Sequence, residues 1–433
     1  MKIEVTPTEN INAEITLPGD KSISHRALII GSLAEGETKI HNFLSSEDTL
    51  STLNILNSIG ADIKQISKDE VIVEGKGKDN FIEPSNVLNA KNSGTTTRLM
   101  MGVLSAQNFY SVITGDDSLR ERPMKRVIDP LSKMGGRFFA RKNGEFAPIT
   151  ILGTKDISPI VYKTPVASAQ VKSAILLAGL YAKGETKVIE PAKSRDHTER
   201  MLKYFGADII QKDTTVVIQG LTNNLKGREF FVPGDISSAS FFIVAALITK
   251  NSTLLIKNVG INPTRTGILS VLKMMGADID IINEKTLNNE SVGDLLVKSS
   301  SLKGVEIKGE MIPLIIDEIP ILAIAATQAK GKTTIKDAKE LRYKETDRIK
   351  AITRELKKLG IDVLEKEDGF DIIGSQKIQG NCTCESYNDH RIAMSLAIAG
   401  LIADNPIEID NFECVNISFP EFTEIFEKIR SKR

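Results

Sequence analysis

The chain has no tryptophan, three cysteines and four histidines in 433 residues, and 5% of it is aromatic. Three thiols, Cys382, Cys384 and Cys414, cannot build a disulfide framework, which points to a reducing compartment. No histidine stands at ligand spacing from Cys382-x-Cys384, so no metal centre is expected there. Neither sign of charge is in excess: Lys+Arg and Asp+Glu are both 56. No global field therefore draws nucleic acid or an acidic membrane, and any anion site must be a local cluster. An apolar run of about 18 residues is missing, as are a signal peptide and a transit peptide, so a cytoplasmic protein is expected. There is no Gly-x-x-x-x-Gly-Lys-Ser/Thr loop, no convincing Gly-x-Gly-x-x-Gly and no Gly-x-Ser-x-Gly elbow. Nucleotide hydrolysis, a dinucleotide cofactor and a hydrolase nucleophile are thus not suggested.

What is present is repetition. Six segments, residues 27–43, 98–115, 173–191, 241–259, 320–338 and 395–412, each lead small and aliphatic residues into a polar turn and a β-branched strand. Their spacing of roughly 65–80 residues marks one supersecondary unit copied along the chain. Five segments of the form Leu-x-x-x-Gly, ending at Gly60, Gly135, Gly206, Gly276 and Gly360, read as amphipathic helices closed by a left-handed glycine. The sixth copy has only residues 422–429. Leu17-Pro18-Gly19-Asp20 is echoed by Val232-Pro233-Gly234-Asp235, giving three copies per half and two domains. Strands such as 71–73, 186–189, 216–218 and 333–335 alternate with two kinds of helix. One kind (175–180, 241–247, 321–326) is apolar nearly all round and must be buried, the reverse of a β/α barrel.

The polar residues collect where each buried helix begins. These starts read Asp20-Lys21-Ser22-Ile23-Ser24-His25-Arg26, Lys91-Asn92-Ser93-Gly94-Thr95-Thr96-Thr97-Arg98, Ala167-Ser168-Ala169-Gln170-Val171-Lys172, Asp235-Ile236-Ser237-Ser238, Ile316-Asp317-Glu318-Ile319 and Asn388-Asp389-His390-Arg391. Capping of free amides accounts for Ser, Asp and Asn there, and for the whole Asp235 segment. It does not account for Lys21, Arg26, Arg98 and Arg391, whose charge opposes the helix dipole. An anionic ligand would remove that conflict. Arg120-Glu121-Arg122-Pro123-Met124 occupies a loop, and residues 340–348 are expected to begin a helix running to Leu359. On that helix Lys344 and Arg348 would share a face beside Glu345. A solvated charged face would look the same.

At these residues the chain resembles the 5-enolpyruvylshikimate-3-phosphate synthase family over essentially its whole length. The most specific pieces are residues 18–26, Asn92 to Arg98, Arg122-Pro123-Met124, Ser168-Ala169-Gln170, Ser194 to Glu199, Arg342 to Arg348 and Asp389-His390-Arg391. The resemblance implies an α/β fold of two domains, each of three βαβαββ repeats with buried parallel helices (an inside-out α/β barrel). The first domain, 20–232, would be inserted into the second, 1–19 with 233–433, and joined to it by a hinge, with the active site in the interdomain cleft. It implies transfer of the enolpyruvyl group of phosphoenolpyruvate to the 5-hydroxyl of shikimate 3-phosphate, without a cofactor, by a monomer. Shikimate 3-phosphate would meet Lys21, Ser22, Arg26, Ser168, Ala169, Gln170, Arg195, Asp317 and Lys344. Phosphoenolpyruvate would meet Lys21, Gly94, Arg122, Gln170, Arg348 and Arg391. Arginine's planar fork suits both carboxylate and phosphate.

The implied chemistry is addition then elimination, with Asp317 as the base, Glu345 delivering a proton to the methylene carbon, and Lys21 a reserve donor. Glu345 between Lys344 and Arg348 should be ionised, so the substrates' own charge is expected to raise its proton affinity. Three positions depart from the family pattern: Ile417 where many members have lysine, Glu340 where some have asparagine, and Ala169 where some have serine. A UDP-N-acetylglucosamine enolpyruvyl transferase would share the architecture but carry a cysteine in the loop that here spans residues 114–123. A non-catalytic anion-binding repeat protein would share the cations but gain nothing from Asp317 and Glu345.

Overall fold

The computed structural model describes residues 1–430. The chain divides into two compact units: Gly19–Val232 with Leu287–Glu290, and Met1–Pro18 with Pro233–Thr286 and Ser291–Arg433.

In the Gly19–Val232 unit the second repeat shows the pattern most plainly. Strand Leu88–Asn89 is followed by helix Gly94–Ser105 and a parallel strand, Tyr110–Thr114. Helix Lys125–Lys133 then leads to the hairpin Arg137–Ala140 and Phe146–Leu152, which closes an antiparallel edge. A parallel pair needs a crossover helix and a hairpin does not, so this mixed sheet is what βαβαββ must build. The third repeat copies it with strands Val161–Lys163, Glu185–Ile189, Ile209–Lys212 and Thr215–Gln219. The first repeat borrows its opening strand: Glu229–Phe231 lies parallel to Glu35–His41, pairing Phe230 with Ile40.

The other unit borrows twice. Asn12–Thr16 pairs in parallel with Thr253–Gly260 and completes the fourth repeat, while Ile3–Val5 lies antiparallel to Ile407–Asp410. Among the described residues that last sheet has three strands and the other five have four.

Each repeat buries one helix. They are Lys21–Leu33, Gly94–Ser105 and Ala169–Gly179 in one unit, and Ile236–Ile248, Ile319–Gln328 and His390–Gly400 in the other. In Ile236–Ile248 every residue but the last is buried. The five Leu-x-x-x-Gly helices end as expected, with φ of +93° at Gly60, +115° at Gly135, +100° at Gly206, +94° at Gly276 and +78° at Gly360. Gly102 lets helices Gly94–Ser105 and Ala169–Gly179 touch: a Cβ there would lie 2.3 Å from the Ala174 carbonyl oxygen.

Candidate functional site

Five of the six buried helices start on a side-chain cap: Asp20 accepts from Ile23 N, Ser93 from Thr96 N, Ser168 from Val171 N, Asp235 from Ser237 N and Asp389 from Arg391 N. The polar residues at these starts therefore do cap, and the cations beside them must be explained separately.

In the Gly19–Val232 unit hydrogen bonds knit the three starts together. Lys21 opens its helix and donates from Nζ to Asp48 Oδ2 at 2.8 Å. Arg26 is buried, donating from Nε to Thr198 Oγ1 at 2.6 Å, from Nη2 to Ser173 Oγ at 2.8 Å and from Nη1 to the carbonyl of half-buried Ser22 at 2.9 Å. Burial pulls the Arg26 guanidinium down to about 10 against the pull of Glu199, so it stays cationic at neutral pH. Arg98 donates to Gln170 Oε1 at 2.8 Å, and Gln170 donates to Thr95 Oγ1 at 2.9 Å. Arg122 is held over Asn92, 2.7 Å to Oδ1 and 3.2 Å to the carbonyl, and bonds Ser118 Oγ at 3.0 Å. A Cβ on Gly94 would come within 2.6 Å of Arg98 Nη1 and 3.5 Å of Arg122 Nη1, so glycine keeps room beside two guanidinium groups. Ala169 follows the cap Ser168, and Arg195 is near enough for its charge to act on Arg26.

The second cluster lies in the other unit, around Arg348, whose side chain is 1% exposed. Its Nε donates to Asp389 Oδ2 at 2.8 Å, Nη2 to Glu345 Oε2 at 2.6 Å, and Nη1 to Asp317 Oδ1 at 3.4 Å. Burial works against this charge, but Asp389, Glu345 and Asp317 outweigh it and hold the guanidinium above its ordinary range. Lys344 Nζ donates to the same Asp317 oxygen at 3.1 Å. Arg391 Nη1 donates to the Asp317 carbonyl at 2.9 Å and stands 3.8 Å from Glu318 Oε1. Glu318 in turn accepts from Ser237 Oγ.

Two expectations need correction. The helix expected from residue 340 begins at Arg348, because Asp347 caps it through Lys350 N and Lys344 is extended after a short 3-10 turn, Lys339–Tyr343. Lys344 and Arg348 thus meet at Asp317 through the fold of the turn, not through helical spacing. Nor are the cations at the helix starts uncompensated before a ligand arrives. Lys21 has Asp48, and Arg391 has the Asp317 carbonyl and Glu318. Sequence reasoning missed these partners. Asp389 was legible as a cap, whereas its second task, holding Arg348 across 41 residues, leaves no periodic trace. Asp48 lies within the first turn of a helix, Glu47–Ser58, and carried no signal at all.

Among the described residues no group of three or more His, Cys, Asp or Glu could hold a metal ion, and no helix is long and apolar enough to cross a membrane. Cys382, Cys384 and Cys414 are free thiols. Ile417 packs against the hydrophobic core.

The EPSP synthase family (3-phosphoshikimate 1-carboxyvinyltransferase) matches residues 5–426. A 3-phosphoshikimate 1-carboxyvinyltransferase of Petrotoga mobilis is 96% identical over 431 residues, covering 100% of both chains. That of Geotalea uraniireducens is 52% identical over 425 residues, 98% of each. A solved EPSP synthase from Acinetobacter baumannii superposes with a TM-score of 0.89 at 44% identity, covering 99% of this chain and 98% of that one. The enolpyruvyl transferase NikO from Streptomyces tendae (TM-score 0.80, 16% identity, 98% of this chain and 96% of that one) shares the fold.

Proposed function

Because the chain belongs to the EPSP synthase (3-phosphoshikimate 1-carboxyvinyltransferase) family, we propose that its two clusters serve one transfer of an enolpyruvyl group between two phosphorylated anions. The protein is a transferase of the shikimate pathway, on the route to chorismate and the aromatic amino acids. It moves the 1-carboxyvinyl group of phosphoenolpyruvate to the 5-hydroxyl of shikimate 3-phosphate and releases phosphate. The observation that carries this is the full-length match, which favours it over the UDP-N-acetylglucosamine transferase and the non-catalytic binder. In this reading the enzyme works as a cytoplasmic monomer.

The residue roles in this reading are those that the family resemblance implies. Ser22, Arg26, Ser168, Ala169, Gln170 and Arg195 take shikimate 3-phosphate, with Lys344 and Asp317 reaching it from the other unit. Gly94, Arg122, Gln170, Arg348 and Arg391 take phosphoenolpyruvate, and Lys21 touches both. Preorganisation supports this: Arg122 is pinned by three hydrogen bonds, so its fork meets an anion with little left to order. Asp317 removes the hydroxyl proton. Lys344 and Arg348 both bond its Oδ1, so that oxygen is occupied before substrate arrives. A substrate anion that draws Lys344 away frees it to accept the proton. Glu345, bonded to Arg348, must gain a proton before it can protonate the methylene carbon. The substrate carboxylate, by engaging Arg348, supplies the reason for it to do so.

The test is phosphate release from phosphoenolpyruvate with each acceptor. Turnover with shikimate 3-phosphate alone supports the reading. Turnover with UDP-N-acetylglucosamine, or with neither, overturns it.

A further inference from the structure

Beneath the start of helix Ala169–Gly179 lies a buried ion cluster that no step above uses. Glu190 follows strand Glu185–Ile189, and four donors converge on its carboxylate. Oε1 accepts from the backbone N–H of Ser168 at 3.2 Å and from Ser194 Oγ at 2.6 Å. Oε2 accepts from the backbone N–H of Ser194 at 3.4 Å and from Lys172 Nζ at 2.7 Å. Lys172 is wholly buried and also meets Glu199 Oε1 at 2.8 Å. Burial opposes the charge on Lys172, but Glu199 and Glu190 outweigh it and raise its pKa.

An acid is an odd neighbour for a site that binds a multiply charged anion, because it repels the ligand. Its position explains its presence. Ser168 caps the helix on which Ala169 and Gln170 stand, and Ser194 directly precedes Arg195. Both segments bond the same carboxylate through backbone N–H groups. We infer that Glu190 is a positioning residue for shikimate 3-phosphate, docking the Ser168 helix start and the Ser194-Arg195 segment in register, with Lys172 as its counter-ion. This rests on the assignment of Ser168, Gln170 and Arg195 to that substrate.

The amide variant separates this from mere packing. Each oxygen of Glu190 faces one backbone N–H, and a backbone N–H cannot become an acceptor. Glutamine in either flip therefore turns its NH₂ toward Ser168 or Ser194, releasing one segment while keeping the volume. In the full chain, Glu190→Gln is expected to raise KM for shikimate 3-phosphate about tenfold, and KM for phosphoenolpyruvate by less than about twofold. Glu199→Gln removes the other carboxylate at Lys172, which among the described residues bonds neither segment. Because Glu199 also acts on Arg26 through its charge, this variant is expected to raise KM for shikimate 3-phosphate by clearly less than Glu190→Gln does, and KM for phosphoenolpyruvate by less than about twofold. An unchanged KM in Glu190→Gln, an equal rise for both substrates, or the same selective rise in Glu199→Gln would overturn the proposal. If Glu190→Gln does not fold, Ser194→Ala, which deletes only the hydroxyl donor, should still raise KM for shikimate 3-phosphate selectively; no selective rise overturns it. The two levels fail differently. Wild-type protein without turnover on shikimate 3-phosphate sinks the functional reading, whereas a selective defect in Arg195→Ala with none in Glu190→Gln sinks only the role of Glu190.

Discussion

A carboxylate asked to deliver a proton stands 2.6 Å from a guanidinium: Glu345 against Arg348. Glutamine would keep the bond to Arg348 and lose the proton. Glu345→Gln is therefore predicted to lower kcat by about 10²–10⁴, the usual worth of general acid–base catalysis, with little change in KM for either substrate. Steady-state kinetics with near-normal turnover would remove Glu345 from the proton path. His25 makes a prediction about stability. Burial, reinforced by the charges of Lys21 and Arg26, pushes it well below its ordinary value of 6.5, and its Nδ1 bonds Thr52 Oγ1 at 2.7 Å. Between its folded value and 6.5 the unfolded chain holds a proton that the native state lacks, so stability falls as the pH drops through that window. His25→Gln should flatten the slope of unfolding free energy against pH below 6.5, by up to about 1.4 kcal/mol per pH unit. Denaturant unfolding across that range reads it, and identical slopes would contradict a neutral buried ring. Lys21 and Arg391 were legible in the sequence because each broke a rule of helix electrostatics. Their carboxylate partners were not, since Asp48 and Glu318 are brought to them only by tertiary folding.

The six buried helices were the most legible elements, because an apolar surface all round a helix has one physical outcome. The ends of the five amphipathic helices were legible too, since their closing glycines need positive φ. What periodicity could not reveal was where the helix carrying Arg348 begins, because Asp347 caps it after an extended Lys344. It was equally blind to the borrowed strands Ile3–Val5, Asn12–Thr16 and Glu229–Phe231, whose partners are set by sheet closure and not by neighbourhood in the chain. The packing of Gly94–Ser105 on Ala169–Gly179 can be tested directly. In Gly102→Ala the new methyl would sit 2.3 Å from the Ala174 carbonyl oxygen and 2.9 Å from its Cα. Both atoms are backbone, so the helices must separate, at a cost of about 1–3 kcal/mol or more. Because Arg98 and Gln170 bridge the same two helices, substrate affinity should fall as well. Unchanged stability in chemical denaturation would mean that these helices do not touch there.

At the scale of the molecule, a chain with formal net charge +0 concentrates Lys21, Arg26, Arg98 and Arg122 in one unit and Lys344, Arg348 and Arg391 in the other. The proposed site draws on both sets, so saturation with both substrates is predicted to compact the protein through hinge closure. Small-angle scattering would show a smaller radius of gyration with both ligands than with neither, and no change would count against a shared site. The most direct measurement is a crystal structure grown with shikimate 3-phosphate and phosphoenolpyruvate, or an inert analogue of the latter. The account predicts Arg26, Gln170 and Arg195 against the first ligand, Arg122, Arg348 and Arg391 against the second, and Lys21 within hydrogen-bond reach of both. Ligands bound elsewhere, out of reach of these side chains, would contradict it.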